Sequence, residues 1–324
     1  MKLAVAPSPV ILCYHRIFEP EADPHLLSVS ADQLVQQLEI VRRIAHPLSL
    51  DQLSVALQEK TLPRRGVVIT FDDGYIDNLE NGLPILRAAN IPAAIYITTG
   101  YVGTNREFWW DDLERMILRP GRFPKVVRLE IDGRACAWNL AGEGANDRGW
   151  NVLDPPEERT SRQRFFCDLH AALRPLAAPQ QEEVLNQLRN MTNTPVEARP
   201  SYRCMTASEL KALAAEPLIT LGAHTISHCD LVFRAPAEQQ AEIAGSKEQL
   251  EHFIGRPVAH FSYPYGSCND ESVAACLASN FRSAVTCVPE PVERRSPLHR
   301  LPRFLVRKWD GAEFERRLEE FFRG

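Results

Sequence analysis

Short apolar runs rich in β-branched residues alternate with stretches of helical periodicity along most of this chain, and that alternation restricts its fold more than any other feature. Val10–Tyr14, Gly66–Phe71, Ala93–Ile97, Leu218–Ala223, His260–Ser262 and Ser283–Cys287 read as buried strands. Between them, helix starts are written as capping boxes, a Ser or Thr followed three residues later by Gln or Glu: Ser30 with Gln33, Ser49 with Gln52, Thr206 with Glu209. Further helical periodicity covers Asn78–Ala89 and Pro236–Phe253. Asn269 caps a helix through Leu277, and Asp310 caps a last one with Phe314, Leu318 and Phe321 on one face. A βαβα rhythm implies a mostly parallel sheet, open or closed into a barrel. Closure is favoured because the chemically capable residues sit just after strands, where barrel enzymes gather their active sites.

Residues from about 120 to 200 break the rhythm. Val126–Ile131 followed by Asp132-Gly133 reads as a hairpin, Ala141–Arg148 is polar and contains Gly, and Leu169–Leu188 reads as helical. The expectation is one domain over 1–324 with an insertion at about 120–200, outside the repeating barrel units. The 324 residues suffice for such a core, and a net charge of −5 argues against nucleic-acid or anionic-membrane binding. No apolar run is long enough to span a bilayer and Met1–Pro7 lacks the apolar core of a secretory signal, so a cytoplasmic location is expected. The eight cysteines include no Cys-x-x-Cys pair, and reduced core thiols are expected. Oligomeric state is open at this level.

Three constellations carry chemistry. Thr70-Phe71-Asp72-Asp73-Gly74-Tyr75 puts two adjacent carboxylates at a strand end, where they repel unless a cation lies beside them; Asp-Asp-Gly is also ordinary turn chemistry. His224-Thr225-Ile226-Ser227-His228 places two imidazoles four apart on one turn, able to bind one metal, with two surface histidines as the bland alternative. Phe261-Ser262-Tyr263-Pro264-Tyr265-Gly266 is a Pro-aromatic-Gly turn that can aim a backbone N–H at a substrate. In a barrel the three converge on one face, and one Asp with two His leaves a metal with open positions, as in hydrolytic sites.

These three motifs, in this order, resemble the polysaccharide deacetylase family with the NodB homology domain (carbohydrate esterase family 4). Leu12-Cys13-Tyr14-His15-Arg16-Ile17, Phe108-Trp109-Trp110 and Leu301-Pro302-Arg303 add to the likeness, which covers roughly 8–110 and 203–310. The resemblance implies a distorted (β/α) barrel, usually of seven strands, and a divalent metal, zinc above all, with cobalt, nickel or manganese as alternatives. It implies Asp73, His224 and His228 as metal ligands, Asp72 as catalytic base and the Tyr265 N–H as oxyanion donor. The implied activity is removal of N-acetyl groups from a glycan or glycan precursor by attack of a metal-bound water. Competing readings are a metal amidase acting on a small cyclic imide or ureide, and a non-catalytic carbohydrate-binding homologue.

The sequence departs from the family pattern in two places. Members often carry an Arg in the third motif that orients the base, whereas this chain has Ser262 and Tyr263. Arg303 is the candidate replacement, because closure of the barrel would return its segment beside Asp72; the alternative is a surface Arg paired with solvent or Glu293. Many members also have a late Leu-x-His that supplies the general acid. Leu298-His299 is late but its surroundings match poorly, so His299 is a candidate acid beside a surface role, and His15 could also border the site. Trp109, Trp110 and Tyr75 could stack on sugar faces or simply pack in the core.

Overall fold

Val10–Tyr14 is β1, and its five side chains are all buried, as expected of a parallel strand covered on both faces. The computed structural model describes residues 7–119, 123–140 and 149–324; the polar stretch Ala141–Arg148 lies outside the described residues. The strands after β1 are β2 (Arg16–Ile17), β3 (Ser28–Val29), β4 (His46–Leu48), β5 (Gly66–Phe71), β6 (Ala93–Ile97), β7 (Val126–Ile131), β8 (Arg134–Asn139), β9 (Ile219–Ala223), β10 (His260–Ser262), β11 (Ser283–Val285) and β12 (Phe304–Leu305).

The chain divides into two compact units. The first comprises Met1–Glu19, Leu27–Thr104 and Cys204–Gly324, and holds a curled parallel sheet in the order β11-β10-β9-β6-β5-β1-β12. This is the expected distorted, seven-stranded barrel sheet. The segment from Leu301 to Leu305 touches both of its edges: Leu301 bridges Val285 of β11, and β12 pairs with β1 through Leu12–Phe304 and Cys13–Leu305. β4 pairs with β5 over Gly66–Val68, below the stretch Ile69–Phe71 that pairs with β6.

The capping boxes at Ser30, Ser49 and Thr206 all form, with both reciprocal hydrogen bonds. The helices they open lay Leu34, Leu38 and Val41, then Leu50, Leu53 and Leu57, then Leu210 and Leu213 into the core. Each fully buried aliphatic side chain of this kind contributes about 1.5–3 kcal/mol. The last helix, Gly311–Phe321, is capped by Asp310 and buries Phe314 and Leu318. The predicted helix 78–89 begins instead as a π-helical turn, Asn78–Gly82, before Leu83–Ala89 continues as an α-helix.

The second unit comprises Pro20–Leu26 and Asn105–Arg203. The hairpin is present as antiparallel β7 and β8, which form a sheet of their own. The helical signal over Leu169–Leu188 resolves into two helices, Ser161–Leu173 and Ala178–Thr192, since Pro175 and Pro179 lack the amide hydrogen a continuous helix needs. Trp109 and Trp110 are buried on the helix Trp109–Ile117 of this unit. In the first unit, Tyr75 is fully buried beneath the Arg16 guanidinium. All three rings are core residues, so the sugar-stacking expectation is corrected: no face is left for a ligand. All eight cysteines are free. Among the described residues, no helix is long and apolar enough to cross a membrane.

Candidate active site

β5 runs into Asp72 and Asp73 at its carboxyl end, and the backbone turns sharply there: Asp73 has φ 75° and Gly74 φ 82°. A side chain at position 74 would be strained at that φ and would meet Ile97 Cδ1 at 2.9 Å, so the turn requires Gly. The turn sends the two neighbouring carboxylates to different partners.

Asp72 is clamped. Arg303 Nη1 donates to Asp72 Oδ1 at 2.8 Å and Nη2 to Oδ2 at 2.7 Å. Ser262 Oγ donates to Oδ2 at 3.2 Å and itself accepts from Arg303 Nη2 at 2.9 Å. The remaining guanidinium hydrogens reach Thr70 Oγ1 at 3.1 Å and the Thr286 carbonyl at 2.8 Å. Arg303 is 0% exposed. Burial by itself raises the Asp72 carboxyl, but the Arg303 charge, with His224 and the direct Arg303 hydrogen bonds, overrides it and holds the group at about 2. The expected Arg303–Asp72 pair is therefore formed, in the bidentate geometry that Arg favours.

Asp73 faces the histidines. Its Oδ1 lies 3.5 Å from His224 Nε2 and 3.3 Å from His228 Nε2. This Oδ1 is buried and has no hydrogen-bond partner among the described residues. His224 Nδ1 is 2.7 Å from the Ser262 carbonyl oxygen. A carbonyl oxygen only accepts, so Nδ1 carries the hydrogen and the Nε2 lone pair points at the carboxylate. Two acceptors face to face are stable only with positive charge between them, from a proton on a ring or from a metal ion. Burial lowers His224, but Asp72 and Asp73 more than compensate and its value rises; for His228 burial wins and its value falls. Burial also raises Asp73, and the close approach of both rings more than cancels this, leaving it well below the usual carboxylate range.

Asp73, His224 and His228 offer ligand atoms that all lie within 4.8 Å of one another. An orphaned buried carboxylate oxygen with two imidazole nitrogens is a donor set that fits a divalent ion of the zinc type. Cys13, His15 and Asp72 form a second such group. There the carboxylate is already bonded at both oxygens to Arg303, so the first set is the better metal site. His15 Nδ1 is buried and finds no hydrogen-bond partner among the described residues.

The third motif closes the site from β10. Tyr265 adopts φ 59° and packs its ring against His228, with centroids 4.9 Å apart. Gly266, at φ 68°, lies so close to Cys287 that a Cβ would come within 2.4 Å of its backbone nitrogen. Thr225 and His228 are also left-handed, at φ 62° and 57°. Such conformations cost on the order of 1–3 kcal/mol each in non-Gly residues and gather at functional sites. His299 is not brought to this cluster: its Nε2 is bonded to the Phe281 carbonyl at 2.8 Å. The sequence marks Ser262 only as a hydroxyl at a strand end; its place in the site depends on Asp72, 190 residues away.

The sequence pattern of the polysaccharide deacetylase family matches residues 59–121 and 184–283, just over half of the chain, including Asp72, Asp73, His224, His228 and Ser262. Poly-beta-1,6-N-acetyl-D-glucosamine N-deacetylase of Escherichia coli (strain K12) is 35% identical over 86 residues, 26% of this chain and 13% of that protein. The chain spans 36% of another curated relative, from Bacillus subtilis (strain 168), and so matches a minor part of either. Among solved structures, Streptococcus pyogenes deacetylase PplD in complex with acetate is similar at a TM-score of 0.59 and 18% identity, over 99% of each chain. IcaB from Ammonifex degensii is similar at 0.58 and 16%, over 98% of each chain. At these identities the likeness shows the fold.

Proposed function

This chain belongs to the polysaccharide deacetylase family, and from that premise and the paired carboxylates we propose that it removes N-acetyl groups from an acetylated glycan or glycan precursor. The observation that carries the reading is the division of labour between adjacent acids: Asp72 is bonded at both oxygens to Arg303, whereas Asp73 turns an unsatisfied oxygen to two imidazoles. Asp73, His224 and His228 would hold a divalent metal, zinc by preference, with cobalt, nickel and manganese matching the same donors. When bound, that ion supplies a Lewis acid that polarises a carbonyl and acidifies water.

Asp72 is the base in this reading. It is ionised at neutral pH, and the Arg303 fork fixes its orientation so that it accepts a proton from the attacking water without becoming a ligand. The Tyr265 backbone N–H is the oxyanion donor in this reading, supported by the left-handed turn there and the packing of its ring on His228, and such a donor typically contributes about 3 kcal/mol. In this reading His15, rather than His299, returns a proton to the departing amine; its support is that a His15 ring nitrogen lies within 4.8 Å of the Asp72 carboxylate, whereas His299 Nε2 is bonded to the Phe281 carbonyl.

The test is acetate release from β-1,6-linked N-acetylglucosamine oligomers, the substrate named for the Escherichia coli relative. Protein stripped with a chelator should be inactive and recover with added zinc. Release that is indifferent to chelation would remove the metal from the reading. Activity confined to cyclic imides would replace the substrate class, and tight oligomer binding with no acetate would make the chain a binding homologue.

A further inference from the structure

The loop joining the two histidines is fixed from both sides by residues outside it. On one side, the N–H groups of Thr99 and Gly100 donate to the carbonyls of Thr225 and Ile226, at 3.1 and 2.8 Å. On the other, Glu242 reaches in from the helix Pro236–Ile254: its Oε2 accepts from the Ile226 N–H at 2.8 Å and the Ser227 N–H at 2.9 Å, and its Oε1 accepts from Ser227 Oγ at 2.8 Å. The first approach is close enough to need glycine, and the second brings the helix against the Ile226 side chain. A Cβ on Gly100 would come within 2.5 Å of the Ile226 carbonyl oxygen, and one on Gly245, a helical turn beyond Glu242, within 2.7 Å of Ile226 Cδ1.

We infer that Glu242 is a positioning residue for the metal-binding histidines, holding the left-handed turn at Thr225 and His228 in the shape that lets both imidazoles meet Asp73. Two successive backbone N–H groups pointing at one carboxylate oxygen constitute a turn that is unfavourable to form unless an acceptor is present. The carboxylate meets all three donors with two acceptor oxygens and lends its charge to each bond. Glutamine can hold the same shape, its oxygen accepting both N–H groups and its amide donating to Ser227 Oγ, but through weaker, uncharged bonds, whereas alanine leaves both N–H groups without this acceptor. Thr225 Oγ1 accepts the His228 N–H at 2.9 Å within the loop, but Glu242 is the side chain that ties the loop to the helix. Outer partners that orient metal ligands typically change metal affinity by about 10–100-fold when removed.

The inference rests on the metal reading above, and its test separates the two. Zinc affinity of the full chain is measured by competition with a chromophoric chelator, for wild type, Glu242→Gln, Glu242→Ala and Glu242→Asp, whose shorter side chain withdraws the acceptor. The thermal midpoint of each metal-free protein and the visible spectrum of each cobalt-loaded protein are measured alongside. The expected result is affinity weakened about 10–100-fold in Glu242→Ala, less in Glu242→Gln, with an altered cobalt spectrum. Wild-type zinc affinity and cobalt spectrum in a folded Glu242→Ala protein, or in Glu242→Asp should the alanine variant not fold, overturn the role of Glu242. Wild type that binds no zinc overturns the metal reading instead, and this inference with it.

Discussion

At the amino-terminal end of the parallel sheet, His260 lies between a serine and an aspartate: Nδ1 is 2.8 Å from Ser283 Oγ and Nε2 is 3.2 Å from Asp51 Oδ1. At the carboxyl end of the same sheet, His224 also lies between a serine and an aspartate, 2.7 Å from the Ser262 carbonyl and 3.5 Å from Asp73 Oδ1. By residue type alone the first set is the more suggestive, since serine, histidine and aspartate in hydrogen-bonded sequence is an arrangement hydrolases use. The surroundings reverse that judgement. His260 and Ser283 are fully buried, open to no substrate, and both histidine nitrogens have partners. Arg282 also pairs with Asp51, and none of Asp51, His260, Arg282 or Ser283 has left-handed backbone. At the other end Asp73, Thr225, His228 and Tyr265 are all left-handed, and Asp73 keeps a buried oxygen without a hydrogen bond. A site is marked by strain and unmet demand, which a folding network removes and a ligand would satisfy.

Mutation of each end can break this contrast. Asp72→Asn is expected to lower turnover by about 10²–10⁴-fold while zinc stoichiometry is kept, because a base is needed for chemistry and not for coordination. Ser283→Ala should leave turnover unchanged. Equal losses from the two, in acetate release at saturating substrate, would erase the distinction between the ends.

Arg303→Met is expected to destabilise the protein by about 3–5 kcal/mol in urea unfolding, the usual consequence of leaving a buried charge without its partner. The surviving activity should show the acidic limb of kcat/KM moved to higher pH, since Arg303 is what holds the Asp72 carboxyl low. An unmoved pH profile would mean that Asp72 is not the group titrating. At the opposite end, Ser283→Ala removes a buried partner of His260 and should cost about 1–3 kcal/mol in the same unfolding assay, with kcat/KM preserved. A loss of activity without a loss of stability would sink the structural assignment of that triad.

The smallest effect belongs to Asp51, which is half-exposed. The hydrogen bond toward His260 is the main cause holding its carboxyl below the ordinary 3.8, against the opposing effect of burial, with Arg282 adding to it. A carboxyl lowered on folding stabilises the protein above its unfolded value and loses that contribution as pH falls through the folded one. Asp51→Asn should therefore cost about 0–1 kcal/mol at neutral pH, and the gap from wild type should close as pH falls below about 3.8. A gap that persists at lower pH would assign the effect to lost packing.

Much of this was written locally. The strands at 10–14, 66–71 and 93–97, and the capped helix starts at Ser30, Ser49 and Thr206, were legible because a strand's burial and a cap's hydrogen bonds involve residues within a few positions of one another. β4 escaped notice because Pro47 sits inside it, tolerable only where the strand needs few ladder bonds. β12 escaped because two residues carry no period. The aromatic pair Trp109-Trp110 could not be assigned to core or surface from its neighbours in sequence, since burial depends on what packs over it.

The βαβα alternation, the order of the three motifs and the residue types near strand ends could be read from the chain alone, because alternation, capping and ligand chemistry are properties of short stretches. The tertiary structure decided the partners. Arg303 and Asp72 stand 231 residues apart and meet because the segment after Leu301 joins the two edges of the sheet. Glu242 supports the histidine loop because its helix packs back over it. Ser283 and His260 became structural because they begin their strands, while Ser262 and His224 lie at or just beyond strand ends and entered the site: in a parallel sheet, the end of the strand a residue occupies sets which residues it meets.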